Sequence, residues 1–195
     1  NVQMKLFEWS QDESGKDSFT ESTGLIYFPR SMTVEPNEER VLRVGIKAPA
    51  VLKETAYRLF VEEMPELKKL DGKGAKVAVA IRFGLPVFVR PVNAQTKGEI
   101  TLAEVSKGVL NVVVGNPGNV NFSITSIKVV GRDKDAKETF TRDISGWYLL
   151  SGAKRLYSTP LTPDCAGIKK LEIEVKMIDF SLSKALDLTA DMCAQ

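Results

Sequence analysis

The stretch that decides the fold is AKVAVAIRFGLPVFVRP, residues 75–91. Its larger apolar side chains occupy odd positions as far as Phe83, whereas the even positions hold lysine, alanine, arginine or glycine. Successive side chains of a β-strand point to opposite faces, so this alternation predicts a long strand with one bulky face and one small face. We call the bulky residues the apolar row; they are Val77, Val79, Ile81 and Phe83.

The same period-two signal recurs along most of the chain, and helix signals are scarce. The segments that predict strands are 2–9, 24–28, 32–34, 40–46, 57–63, 109–114, 122–130, 147–150, 155–157, 170–177 and 187–192. Residues 49–55 could form a helical turn, but the segment is short and is predicted to be a loop. A polar segment, 93–98, separates two strand-rich halves. We therefore predict an all-β chain with two immunoglobulin-like β-sandwich domains, residues 1–92 and 93–195.

Composition narrows the range of partners. The 195 residues carry 27 basic and 25 acidic side chains, a net charge of +2. So small a net charge is not typical of a protein that binds nucleic acid. The sequence has no apolar run of the length that a membrane-spanning helix needs, so membrane insertion is not expected.

Residue types argue against catalysis. The chain contains no histidine, which is the commonest general base and metal ligand. It has no phosphate-binding loop, nucleophile elbow or dinucleotide fingerprint. We predict no enzyme activity, no cofactor, no metal site and no catalytic residues. On count alone, Cys165 and Cys193 are equally compatible with two free thiols or one disulfide.

Several longer segments resemble the periplasmic pilus-assembly chaperones, the PapD-like family. They include LIYFPRSMTVEPNEERVLRVGIKAP (25–49), YRLFVEEMP (57–65) and VAVAIRFGLPVFVRP (77–91) in the first half. LNVVVGNPGNVNFSI (110–124) and GWYLLSGAKRLYSTPL (146–161) match in the second half. The Leu-Pro-Val-Phe form of the long strand looks most like the archaic, spore-coat-like fimbrial branch. Asn37 departs from the pattern, since glycine is usual at that turn position.

The resemblance implies a function for the long strand. Such chaperones lend a strand to pilin subunits, which are immunoglobulin-like domains that lack one strand, and deliver them to an outer-membrane usher. The apolar row would then be the donated face, and the compartment would be the periplasm. Pro86 fits an edge strand, because proline has no N–H to give to a ladder. Family members usually begin with two further strands, so the resemblance also implies that this sequence begins within the first domain.

The resemblance also suggests roles for a few single residues. Family members bind the pilin's terminal carboxylate with a basic residue on the first strand and with a late donor-strand lysine. The lysine's position falls at Pro86, so the nearest basic residue, Arg82, is the candidate anchor, with a solvated surface role as the alternative. An oxidising periplasm implies a disulfide between Cys165 and Cys193. The rival hypothesis for the whole chain is a two-domain β-sandwich adhesin or surface structural module.

Overall fold

The structure is a computed structural model that describes residues 1–12, 14–46, 51–64, 79–161 and 165–194. Its strands are β1 (Val2–Gln11), β2 (Asp17–Glu21), β3 (Leu25–Phe28), β4 (Ser31–Met32), β5 (Arg43–Ile46), β6 (Thr55–Glu63), β7 (Arg82–Val89), β8 (Glu99–Ser106), β9 (Val109–Gly115), β10 (Phe122–Arg132), β11 (Glu138–Ser145), β12 (Tyr148–Leu149), β13 (Lys154–Pro160), β14 (Lys170–Met177) and β15 (Ser181–Asp187). The helical elements among the described residues are two 3₁₀ turns, Cys165–Gly167 and Ala190–Cys193. The prediction of an all-β chain is confirmed.

The chain divides into two compact units. Unit 1 comprises Asn1–Ser10, Ser18–Val51 and Thr55–Val92, and unit 2 comprises Gln11–Asp17, Leu52–Glu54 and Asn93–Gln195. Among the helices that the structure describes, none is long and apolar enough to cross a lipid bilayer.

Unit 1 joins a five-stranded sheet to a two-stranded sheet. The larger sheet has the order β2-β1-β6-β7, with β4 paired to β1, and the smaller sheet pairs β3 with β5. The core draws on both sheets, because Met4 and Leu6 of β1 pack with Leu25 of β3 and Leu59 of β6. The apolar face of β1 therefore faces the unit's interior, as its alternation predicts.

Unit 2 is a β-sandwich with a larger core. One sheet has the order β11-β10-β14-β15, with β12 paired to β10, and the other has the order β13-β9-β8. Buried side chains from both sheets form one cluster, including Leu110 and Val112 of β9, Ile127 of β10 and Ile173 of β14. In β14 the apolar positions are buried and the charged positions between them are not, which is the expected pattern of a strand with one solvated face.

The end of the chain differs from the prediction. A last strand was expected over residues 187–192, whereas β15 covers Ser181–Asp187 and a 3₁₀ turn follows. β15 pairs with β14 from Lys176↔Ser181 to Lys170↔Asp187, so the hairpin turn lies at residues 178–180. Leu182 and Leu186 lie on the same face of β15 and pack against the core. The charged Lys184 lies between them on that face, and it interrupts the apolar alternation that would have predicted the strand.

The predicted disulfide is present in the structure. Cys165 and Cys193 are bonded, with their Cα atoms 5.8 Å apart, and they join the two 3₁₀ turns to each other. The bond therefore holds the segment after β15 against the turn before β14.

Three polar strands were not predicted at all. β2 of unit 1 and β8 and β11 of unit 2 lie at the ends of their sheets in the described part of the chain and expose most of their residues. Since an edge strand buries few side chains, its apolar alternation is weak and the sequence signal is correspondingly faint.

Candidate functional site: the edge strand β7

Strand β7 lies at the end of the larger sheet of unit 1. Within the described ranges its one partner strand is β6, and the two pair antiparallel from Thr55↔Val89 to Glu62↔Arg82. The alternation predicted a strand over residues 75–91, but β7 itself begins at Arg82, and residues 75–78 lie outside the described part of the chain.

The apolar row is exposed where the structure describes it. Val79 is 76% exposed, Ile81 52% and Phe83 60%, whereas Val89 on the same alternating face is only 8% exposed and belongs to the core. Val77, the remaining member of the row, lies outside the described residues. The strand face that helps to build the core of unit 1 therefore continues beyond that core as an exposed apolar strip.

The backbone of β7 offers hydrogen-bonding groups at its outer edge. Glu63 N donates to Ile81 O at 2.9 Å, which shows that odd residues of this segment direct their backbone groups toward β6. In an antiparallel ladder the intervening residues direct theirs away from the partner, so those of Arg82 and Gly84 face the open edge. Pro86 is also an even-numbered residue whose backbone groups point away from β6, so its missing N–H removes no bond to β6.

Arg82 lies on the opposite face from the apolar row. Its Nε contacts Glu62 Oε1 at 2.9 Å, and its guanidinium carbon lies 3.6 Å from the centre of the Phe60 ring. Glu62 also accepts from Lys5 Nζ at 2.8 Å and from Gln3 Nε2 at 3.3 Å. The hydrogen bond from Lys5, more than the nearby positive charge of Arg82, lowers the pKa of the Glu62 carboxyl group.

This polar cluster ties the first residue of β7 to β6 and, through Lys5, to β1. The structure therefore does not bring Arg82 together with the row residues, although half of its side chain remains exposed. Sequence reasoning missed Glu62 and Lys5, because their proximity depends on the pairing of three strands. It also missed Gly84 and Arg58, which shape the strand's outer edge. A glycine two residues before a proline in a strand pattern was the available signal.

Among the residues that the structure describes, no group of three or more histidine, cysteine, aspartate or glutamate side chains could hold a metal ion. Within the described part of the chain, β7 has an unpaired outer backbone edge with an apolar strip beside it, and such an edge can bind another strand.

Comparison with known proteins gives a family for the first half of the chain. Residues 1–95 match the family described as "Pili and flagellar-assembly chaperone, PapD N-terminal domain". No curated protein sequence matches the chain.

Solved structures resemble the chain over nearly its whole length. A structure of the CsuC–CsuE chaperone–tip adhesion subunit pre-assembly complex, from the archaic Csu pili of Acinetobacter baumannii, is 18% identical, with a TM-score of 0.59 over 93% of this chain and 83% of that one. The class 5 fimbriae chaperone CfaA is 12% identical, with a TM-score of 0.54 over 94% and 84%. A chain from a chaperone–tip adhesin complex of CFA/I fimbriae is also 12% identical, with a TM-score of 0.52 over 94% and 83%. These likenesses confirm the predicted PapD-like two-domain fold.

Proposed function

We propose that this chain, whose residues 1–95 match the pilus-assembly chaperone family, binds fimbrial (pilin) subunits by donating strand β7 and passes them to an outer-membrane usher. The family is one of chaperones rather than of enzymes. Two of the similar solved structures are chaperones in complex with tip subunits, which supports a pilus subunit as the partner here as well.

The observation that carries the proposal is the exposed apolar row beside an open strand edge. In strand addition, backbone hydrogen bonds join the new strand, and alternate side chains fill pockets in the partner. Val79, Ile81 and Phe83 have the spacing for that second role and are exposed. Fully burying one such side chain contributes about 1.5–3 kcal/mol, so the row supplies several kcal/mol before the cost of ordering the two partners is subtracted.

The disulfide supports a periplasmic location, because such bonds persist in oxidising compartments. We also propose Arg82 as the residue that holds the terminal carboxylate of the pilin. Its guanidinium is half exposed next to the open edge, and a planar fork of donors suits a carboxylate.

The test is co-expression of this chain, exported to the periplasm, with the fimbrial subunit encoded beside its gene. A tag on the chain should capture the subunit as a one-to-one complex, and the subunit should be degraded when expressed alone. If the subunit is equally stable without the chain and is not captured with it, the chaperone proposal fails. In that case an adhesin or surface module becomes the better hypothesis.

A further inference from the structure

The outer edge of β7 can be read as an ordered series of backbone groups. Even-numbered residues face outward, so an incoming strand meets the N–H and C=O of Arg82, then those of Gly84, and then the C=O of Pro86. Continuous pairing along this edge needs each of these groups in turn to be available.

The carbonyl of Gly84 already has a donor from its own chain. Arg58 Nη1 of β6 donates to Gly84 O at 3.2 Å. Arg58 is only 8% exposed, and its guanidinium carbon lies 3.9 Å from the centre of the Trp9 ring, so this charged group is fixed in place. A second N–H approaching the same carbonyl would bring its hydrogen toward that positive charge, which is unfavourable.

The next group along the edge is missing altogether. Pro86 has no N–H, and its nitrogen follows directly after the Gly84 carbonyl in the outward-facing series. The outer edge of β7 therefore lacks two consecutive groups for an incoming strand, first a free acceptor at Gly84 and then a donor at Pro86. This interruption of the hydrogen-bond ladder is larger than proline alone would cause.

The glycine is required for this arrangement. A Cβ added at Gly84 would lie 2.8 Å from Cε1 of Phe60, the residue directly across the strand pair. Real Cβ contacts are essentially never that close, so a side chain at this position would displace the aromatic ring. Phe60 packs in turn on the rings of Phe7 and Phe19, at centroid distances of 5.5 and 5.6 Å.

We infer that the edge of β7 has a built-in end point: an incoming strand pairs with Arg82 and with the N–H of Gly84, and its ladder stops there. The inference rests on the proposed function and limits it, because it says which part of β7 is donated. The partner's strand therefore makes no ladder bond to β7 beyond Gly84. The segment of β7 from Leu85 to Val89 serves unit 1 alone.

Backbone amide exchange in the complex tests this end point, with the neighbouring fimbrial subunit as the probe. Pro86→Ala supplies a reporter, because it places a new amide at the first position beyond the end point. On binding, the amides of Arg82 and Gly84 should exchange at least about fivefold more slowly, the factor that one net hydrogen bond represents. The new amide at position 86 should exchange at the same rate in the free and the bound protein.

A double variant separates the two parts of the break. Arg58→Met with Pro86→Ala restores both edge groups, so the amide at position 86 should become protected when the subunit binds. Arg142→Met is the matched control, since Arg142 also lies over an aromatic ring, Phe140, but in unit 2.

The outcomes are distinguishable. Slow exchange at position 86 in the bound single variant overturns the part of the end point assigned to the contact of Arg58 with Gly84, while leaving strand donation intact. A wild-type chain that captures no subunit overturns both. If the Arg58 variant does not fold, the exchange pattern of the single variant still decides between these outcomes.

Discussion

Replacing Ile81 by aspartate should abolish capture of the fimbrial subunit while leaving the free protein folded. The side chain is 52% exposed in the free chain, so the substitution removes little of the core and leaves the new carboxylate in water. In the complex, burial of the exposed half of an isoleucine would contribute about 1 kcal/mol, half of the usual value for a whole side chain. A carboxyl group buried without a partner costs at least about 2 kcal/mol more, even if it becomes protonated. The sum, about 3 kcal/mol, corresponds to a loss of affinity of more than about 100-fold.

The matched control for this experiment is Ile178→Asp. Ile178 is 78% exposed in the turn between β14 and β15 of unit 2, so the same chemical change is made away from β7. Both variants should melt within a few degrees of the wild type by circular dichroism, and only Ile81→Asp should lose the subunit in a pull-down and a binding titration. If Ile81→Asp binds as tightly as Ile178→Asp, the apolar row is not the binding face.

Three further changes test other parts of the structure. Arg82→Ala should lower the yield of captured subunit several-fold with the fold intact; an undiminished yield removes Arg82 from the proposed mechanism. Glu62→Gln should reduce the loss of folding stability on acidification at low salt, because the pKa of the Glu62 carboxyl group is lowered in the folded state. The contribution of Glu62 to stability is present above about pH 4.5 and disappears as the pH falls through the folded-state pKa. If the variant and the wild type lose stability equally as the pH falls, this expectation is wrong. Serine at both Cys165 and Cys193, 28 positions apart, should cost unit 2 about 3–4 kcal/mol in calorimetry on the chain-entropy model, and an unchanged melting temperature would count against that model here.

The sequence predicted the parts of the fold that depend on side-chain faces. β14 has one buried face and one solvated face, and in β1 the buried Met4 and Leu6 alternate with less buried residues, so both strands were predicted close to their observed positions. β8 and β11 are polar strands at the ends of their sheets, and β15 carries a lysine within its apolar face. Their existence depends on pairing with neighbours already in place, which local periodicity does not report.

The same distinction explains what was found and missed at the candidate site. The row Val79, Ile81 and Phe83 was readable because it repeats with period two. The contact of Glu62 with Arg82 and Lys5 depends on the register of three strands, and the bond from Arg58 to Gly84 depends on a side chain that crosses from one strand to the next. The described residues 79–81 lie outside the strand for a related reason: β6 ends at Glu63, so residues 79 and 80 have no ladder from β6 to join, whatever their side chains.

Pro86 links the fold of unit 1 to the exposure of the apolar row. It sits at an outward-facing position of β7, where its missing N–H costs no bond to β6. A slip of one residue in the pairing would turn proline toward β6 and remove a ladder bond, at a cost of about 1 kcal/mol. The same slip would move Val87 and Val89 out of the core and turn the row to the other face of the sheet. Both costs act in the same direction, so a single register satisfies the proline and the core together. In that register Phe83 is exposed on the face that carries the core residues Val87 and Val89, the exposed Ile81 and Val79 precede it, and the backbone groups of Arg82 face the outer edge.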